Sequence, residues 1–441
     1  MDNSAIMGSI RKRKYLHIIL PIFLVSVLAY IDRVNIAYAA LTMNRDMGFT
    51  AQVFGMGAGI FFLGYLLFEI PGALIAAKYS PRIWLARIMI TWGAVCAFMA
   101  FMQNETQFYI FRFLLGAAEA SLYPVLYAVV IPRWFSSEER AQATSVMLTS
   151  LLVAAIVGAP LAGWLLGVSL FGLQGWQVLF ILEGIPAVIL GFALVYWLPD
   201  WPKDAKWLTM EEKQLLADQY EQEIQTKNSA KKYTFWQALT DKEVLKLCVI
   251  YFMWITGFWG FNFWMPTVLK AVSGWSNAAI GLIIVIPMTM ALLGFLYVGR
   301  SSSRTGEKRW HVAIPLFLGA IGIGVGTFVS DPLLSLVLVC VSAVGVYCGM
   351  GVWWTYPTSF LSGAAAAGAV GLINSIGNIG GWVGPYLTGF IKDTTGSFMY
   401  GYIYLAFSLV VAGLLILTLR KNLPTSNLPS TPEAKGSARD A

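Results

Sequence analysis

Charge is what this 441-residue chain has least of. Only 12% of its residues are Asp, Glu, Lys or Arg, against roughly 25% in an ordinary soluble domain. With 58% hydrophobic residues, the chain cannot cover a water-facing surface, so a soluble multidomain protein is excluded and a bilayer is the expected solvent. Cysteine is sparse too. Cys96, Cys248, Cys340 and Cys348 all lie in apolar stretches without metal-ligand spacing, which supports neither a disulfide framework nor a zinc site. The two histidines, His17 and His311, flank apolar runs and give no support to a histidine relay or metal centre. No cofactor is implied. The net charge of +7 comes without a basic stripe interleaved with aromatics, so nucleic acid is not an expected partner.

What is abundant is apolar runs of about 20 residues, the length that crosses a bilayer as a helix. Turn and charge punctuation places them near 15–43, 52–77, 83–103, 106–132, 141–168, 177–198, 243–270, 277–299, 312–329, 333–358, 364–391 and 398–419. The expected fold is all-α: a polytopic membrane protein with twelve transmembrane helices in two six-helix halves. The first run lacks a small-residue cleavage site, so it reads as an uncleaved span rather than a signal peptide. The organisation predicted is a cytoplasmic N-terminal tail (1–14), an N-terminal bundle (15–198), a linker (199–242), a C-terminal bundle (243–420) and a disordered cytoplasmic tail (421–441) carrying Pro424, Pro429 and Pro432. In the linker, Thr209 and Glu212 form a capping-box pattern that predicts an amphipathic helix over Met210–Gln225.

Loop charges orient the set. Lys78, Arg82, Arg133, Arg140, Arg300, Arg304, Lys308, Arg309, Arg420 and Lys421 fall on the side of the N-terminus, with Arg45, Lys270 and Lys392 as weak exceptions opposite. By the positive-inside rule both termini are cytoplasmic, and the expected location is the cell inner (plasma) membrane. Gly158-Ala-Pro160-Leu-Ala-Gly163 in the fifth span echoes Gly384-Pro385-Tyr-Leu-Thr-Gly389 in the eleventh. Such a six-plus-six repeat places a substrate site between the halves near the midplane.

Ionisable groups within spans cost roughly 2.5 to 3.5 kcal/mol each, so each needs a partner or a role. The first span carries Asp32, Arg33 and Asn35; the fourth carries Arg112 and Glu119, seven apart on one helix face. All fall where an ion pair between the two spans is feasible. One reading assigns Arg33 and Arg112 to grip a carboxylate, because a guanidinium fork matches two oxygens, with Asp32 and Glu119 carrying protons. Arrival of an anion on the arginine would free the acid to bind a proton. If both acids cycle, two protons accompany each substrate. The other reading makes these groups structural ion pairs. Glu69 and Glu183 fall near span ends and read as structural. In the seventh span, aromatics cluster around Asn262, either as a stacking wall for substrate or as an interfacial belt; Asn374 and Asn378, four apart in the eleventh, suit substrate hydroxyls or interhelical bonds equally.

The sequence resembles the major facilitator superfamily, and within it the anion:cation symporter family of sugar-acid, tartrate, phthalate and hydroxyphenylacetate transporters. The marks span nearly the whole chain: Tyr30-Ile-Asp-Arg-Val-Asn35, Arg112 with Gly116-Ala-Ala-Glu119, Trp134-Phe-Ser-Ser-Glu-Glu-Arg140, Gly175-Trp-Gln with Leu182-Glu-Gly184, Lys206-Trp-Leu-Thr209 and Asn374-Ser-Ile-Gly-Asn378. The resemblance implies proton coupling and anion binding at Asp32, Arg33, Arg112 and Glu119, with Tyr30 as a hydroxyl partner. Two departures stand out. The superfamily's loop signature is degraded at Ala76–Arg82, and its second copy has Ser303 where an acid is usual. A glutamine used by some sugar-acid members on the fifth span has no counterpart in Leu151–Ala155, which tilts the substrate toward an aromatic or dicarboxylic acid.

The expected function is thus a symporter importing a small organic carboxylate with protons, monomeric and surrounded by lipid. A drug or metabolite exporter of the same fold is the nearest alternative, since Gly158-Ala-Pro160 partly resembles an antiporter signature. A membrane sensor is a third, although the soluble segments are short for a signalling domain. An enzyme is not expected, because no nucleophile–base pair or metal cluster is present.

Overall fold

The computed structural model describes residues 3–228, 241–356 and 363–419. Arg420, Lys421 and the proline-bearing tail lie outside the described residues, as does part of the linker. The first six spans are Gly8–Met47, Ala51–Lys78, Pro81–Phe101, Glu105–Trp134, Glu138–Leu165 and Gly175–Trp197. The linker helix, Met210–Asn228, follows. Spans seven to ten are Lys242–Ser273, Asn277–Thr305, Arg309–Gly326 and Pro332–Trp353; the twelfth is Met399–Leu417.

Eleven helices among the described residues are long and apolar enough to cross a membrane, against the twelve expected. The remaining one, the eleventh in order, is the 33-residue helix Gly363–Thr395. It runs between the second span of the first half and the seventh of the second. A helix lined by protein on both sides has no need of a continuous apolar surface, which is why it tolerates Asn374, Asn378 and several glycines.

Sequence sets the helix ends. Thr50, Ser80, Asn104, Ser276 and Asp331 each accept a backbone N–H with their side chain at the start of a helix, satisfying donors that have no partner inside the helix. Large apolar side chains such as Leu74, Ile189, Leu293 and Leu333 stand exposed along the helices, as lipid-facing positions should.

The halves close on each other at the face opposite the N-terminus. A Cβ on Gly163 would lie 2.7 Å from the Asn277 carbonyl at the start of the eighth span, and one on Gly389 would lie 2.2 Å from the Ala51 carbonyl at the start of the second. These are the equivalent glycines of the two echoed motifs, each meeting the equivalent helix of the other half. Beside them the Asp393 carboxylate accepts the backbone N–H groups of Ala51 (3.1 Å) and Gln52 (2.7 Å).

At the N-terminal face the linker is tied to the first half. Thr209 and Glu212 exchange the two capping-box bonds at 2.9 and 3.3 Å. Arg13 pairs with Glu212 and donates to the Trp207 carbonyl at 2.7 Å. Trp207 stacks on His17 and on Trp134, Lys14 pairs with Glu139 and Arg140 with Glu223. The first helix therefore starts before residue 15, because its basic end is held by these partners. Ser303, in the second copy of the loop signature, bonds back to the Gly299 carbonyl of its own helix.

Candidate functional site

Helical phase sorts the polar residues of the first span. Tyr30 and Arg33, three apart, share one face, and both meet Trp259 of the second half, with Tyr30 at 6.0 Å between ring centroids. Asp32 and Asn35 share another face, which turns into the first half toward the third and sixth spans.

Arg33 pairs with Glu119 of the fourth span, and both are buried. Four rings surround the guanidinium: Phe61 at 5.1 Å, Tyr65 at 5.3 Å, Tyr123 at 5.5 Å and Trp259 at 5.8 Å. Such contacts favour a cation where water is excluded. Right after Glu119 the fourth span breaks. Ser121 adopts φ +72°, a left-handed backbone uncommon for a non-glycine residue, and the helix resumes at Leu122. The Trp84 indole N–H donates to the Ser121 hydroxyl at 3.0 Å. Discontinuous helices of this kind line the sites of many transporters, and Pro124, which cannot donate to the Ala120 carbonyl, is the signal in the sequence that marks the break.

Arg112 is fully buried, two helical turns before Glu119 on the same face. Its Nε and Nη2 donate to the Gly57 and Ala58 carbonyls of the second span, each at 3.1 Å, and its Nη1 has no partner. Arg112 and Arg33 each lie 5.1 Å from the Phe61 ring. The structure thus brings both arginines to one ring, but pairs only Arg33 with Glu119.

Asp32 forms no ion pair among the described residues. The Trp92 indole N–H donates to one of its oxygens and the Cys96 thiol lies 3.6 Å from the other. The pairing between the first and fourth spans is made by the neighbouring arginine instead.

The second half contributes a chain of hydroxyl and amide groups. The Tyr30 and Tyr347 hydroxyls are 2.7 Å apart, Tyr347 donates to Asn262 Oδ1 at 2.7 Å, and Asn262 Nδ2 donates to the Phe258 carbonyl at 2.8 Å. Tyr347, in an apolar stretch of the tenth span, offered no signal in the sequence. Asn374 donates to Glu69 of the second span at 2.6 Å, tying the halves together, while Asn378 Nδ2 is buried without a partner. Glu69 and Glu183, read from sequence as near span ends, are both buried, 5% and 4% exposed: the helix packing, rather than distance from a helix end, decides their access to water.

Two packed helical halves with cations, acids and hydroxyls converging between them, and apolar side chains outside, define a membrane transporter. It is not an enzyme. The chain belongs to the Major Facilitator Superfamily, whose family model matches residues 22–385. It is 40% identical, over 96% of its length and 97% of the relative's, to a candidate tartrate transporter of Agrobacterium vitis. It is 38% identical, over 88% and 89%, to a quinolone resistance transporter of Acinetobacter baumannii. Among solved structures, a bacterial homolog of the human lysosomal transporter Spinster, inward-facing and occupied, superimposes with a TM-score of 0.70 over 92% of this chain and 94% of that one, at 16% identity. That likeness bears on the fold alone.

Proposed function

We propose that this protein is a symporter that brings a small organic carboxylate into the cell with protons, by alternating access between its two halves. The observation that carries this reading is the buried Arg33–Glu119 pair, walled by rings from both halves. Glu119 holds Nη2 of Arg33 while Nε is buried without a partner, so a substrate carboxylate that takes the Nε–Nη2 edge with both oxygens competes with Glu119 for Nη2 and displaces it. The displaced carboxylate is then a buried charge without a cation, a state costing several kcal/mol, and it is relieved by taking a proton. One anion and one proton enter together and the charge of the site is unchanged. If Asp32 also takes a proton, a monoanion brings one net positive charge, worth about 2.3 kcal/mol per 100 mV.

Arg112 Nη1 and Asn378 Nδ2, buried donors without partners, are available to a second carboxylate or a hydroxyl, and Tyr30, on the Arg33 face of the first span, leads to Tyr347 and Asn262. The Agrobacterium relative favours a dicarboxylic acid over an aromatic or sugar acid. The excess of Lys and Arg on the N-terminal face supports a cytoplasmic position for that face in the inner membrane. The contacts at Gly163, Gly389 and Asp393 then close the outer face.

Counterflow in proteoliposomes tests the reading: vesicles loaded with unlabelled tartrate, phthalate or a sugar acid should concentrate the labelled form of whichever is the substrate, and a protonophore should abolish uphill uptake into unloaded vesicles under an imposed inward proton gradient. Protonophore-insensitive uptake would contradict it. The Acinetobacter relative favours a second reading, export of a drug. That reading requires quinolone extrusion from cells expressing the protein, with no carboxylate counterflow.

A further inference from the structure

The two oxygens of Glu183, in the sixth span, are buried with no donor in full hydrogen-bond geometry, and the one neutral donor that acts on them is the Asn35 amide of the first span. The side chain faces Asp32 and Tyr38 of the first span and Cys96 of the third, all within electrostatic reach. Asp32 is 1% exposed and held by Trp92 and Cys96, whose thiol is itself 3.7 Å from the Asn35 amide. Among the described residues no ion pair reaches either acid. The cation with a field in this region is Arg112, which acts on Cys96 and spends two of its donors on the Gly57 and Ala58 carbonyls.

We infer that Glu183 and Asp32 form a second proton-holding site inside the first half, separate from the Arg33–Glu119 pair, with Glu183 as the group that carries the proton. Two buried carboxyl groups without a cation cannot both ionise, and an ionised carboxylate short of hydrogen-bond donors is the costlier of the two to keep. Asp32 has an indole N–H and a thiol to bear its negative charge; Glu183 has only the Asn35 amide, outside full hydrogen-bond geometry. The proton therefore sits on a Glu183 oxygen in the arrangement seen here and leaves as that O–H bond breaks to water or to Asp32 when the half moves. The inference rests on the proton-coupled reading and adds Glu183 to its carriers.

The ratio of protons to substrate in wild-type proteoliposomes tests it. Glu183→Gln is expected to lower that ratio by one, and Glu183→Asp to preserve it. Wild-type transport without proton movement overturns the symport reading itself; wild-type coupling with an unchanged ratio in E183Q overturns only the role of Glu183. Should E183Q fail to fold, the wild-type protein decides. Dicyclohexylcarbodiimide, which attacks neutral carboxyls in apolar surroundings, is expected to label Glu183 in acidic buffer and at least about fivefold less in alkaline buffer. Absent or pH-invariant labelling overturns the inference.

Discussion

Arg33 and Glu119 are joined across the first and fourth spans at the point where the fourth helix breaks at Ser121. The pair therefore couples an ionic bond to the local path of the backbone. Replacing Arg33 with lysine keeps the charge but loses the planar fork and its ring contacts. Arg33→Lys is expected to lower carboxylate counterflow by at least about 100-fold while the purified protein stays monodisperse. Counterflow near wild type would show that the fork is not what binds the anion.

Arg112 has a different task. Two of its donors hold the backbone of the second span, so Arg112→Lys leaves at least one buried carbonyl unsatisfied, at about 1–3 kcal/mol. A drop of several degrees in melting temperature is expected together with lost uptake. Unchanged stability with lost uptake would assign Arg112 to the substrate alone.

Tyr347→Phe removes the link between Tyr30 and Asn262 and leaves the Asn262 oxygen without its donor. If the chain positions substrate, binding measured by thermal shift or calorimetry should weaken by about 5- to 100-fold, the equivalent of about 1–3 kcal/mol. An unchanged affinity would make the chain a contact between halves only.

Gly389 has no room for a side chain in the closed face. Gly389→Ala would place its Cβ 2.2 Å from the Ala51 carbonyl, so the variant should favour the state open at that face. Cysteines introduced at Gln52 or Asp393 should then react faster with a membrane-impermeant maleimide added outside. Unaltered labelling would argue that the backbone relaxes around the methyl.

The linker contact has a pH signature. Burial works to raise the Glu212 carboxyl, but bonds from the Thr209 backbone, Arg13 and the Thr209 hydroxyl outweigh it and hold the group below its ordinary value. A depressed carboxylate contributes stability that is complete above the unfolded value, about 4.3, and is lost as pH falls through the lower folded one. Spin labels on the first helix and the linker should keep a fixed separation at neutral pH and spread in strong acid, with Glu212→Gln spread throughout.

The span positions were legible because a bilayer demands long apolar runs, and Arg33 and Glu119 stood out one by one because charge in such runs is rare. The partner of each charge was not legible. One helix alone does not say which neighbour each face meets, so Asp32, one residue before Arg33, turns toward Trp92 and Cys96, and Glu183 is buried well inside its span rather than near an end. Tyr347 stands in apolar surroundings that carry no local signal, whereas the break at Ser121 is marked by Pro124 three residues on. Asn374 and Glu69 meet only once two halves distant in sequence are packed together.

Substrate binding to the detergent-solubilised protein in weakly buffered solution tests the exchange at Arg33 most directly. Adding the transported carboxylate should draw protons from solution and raise the pH, with Glu119→Gln taking up about one proton fewer per substrate bound. Binding without proton uptake, or uptake unchanged in Glu119→Gln, would contradict it.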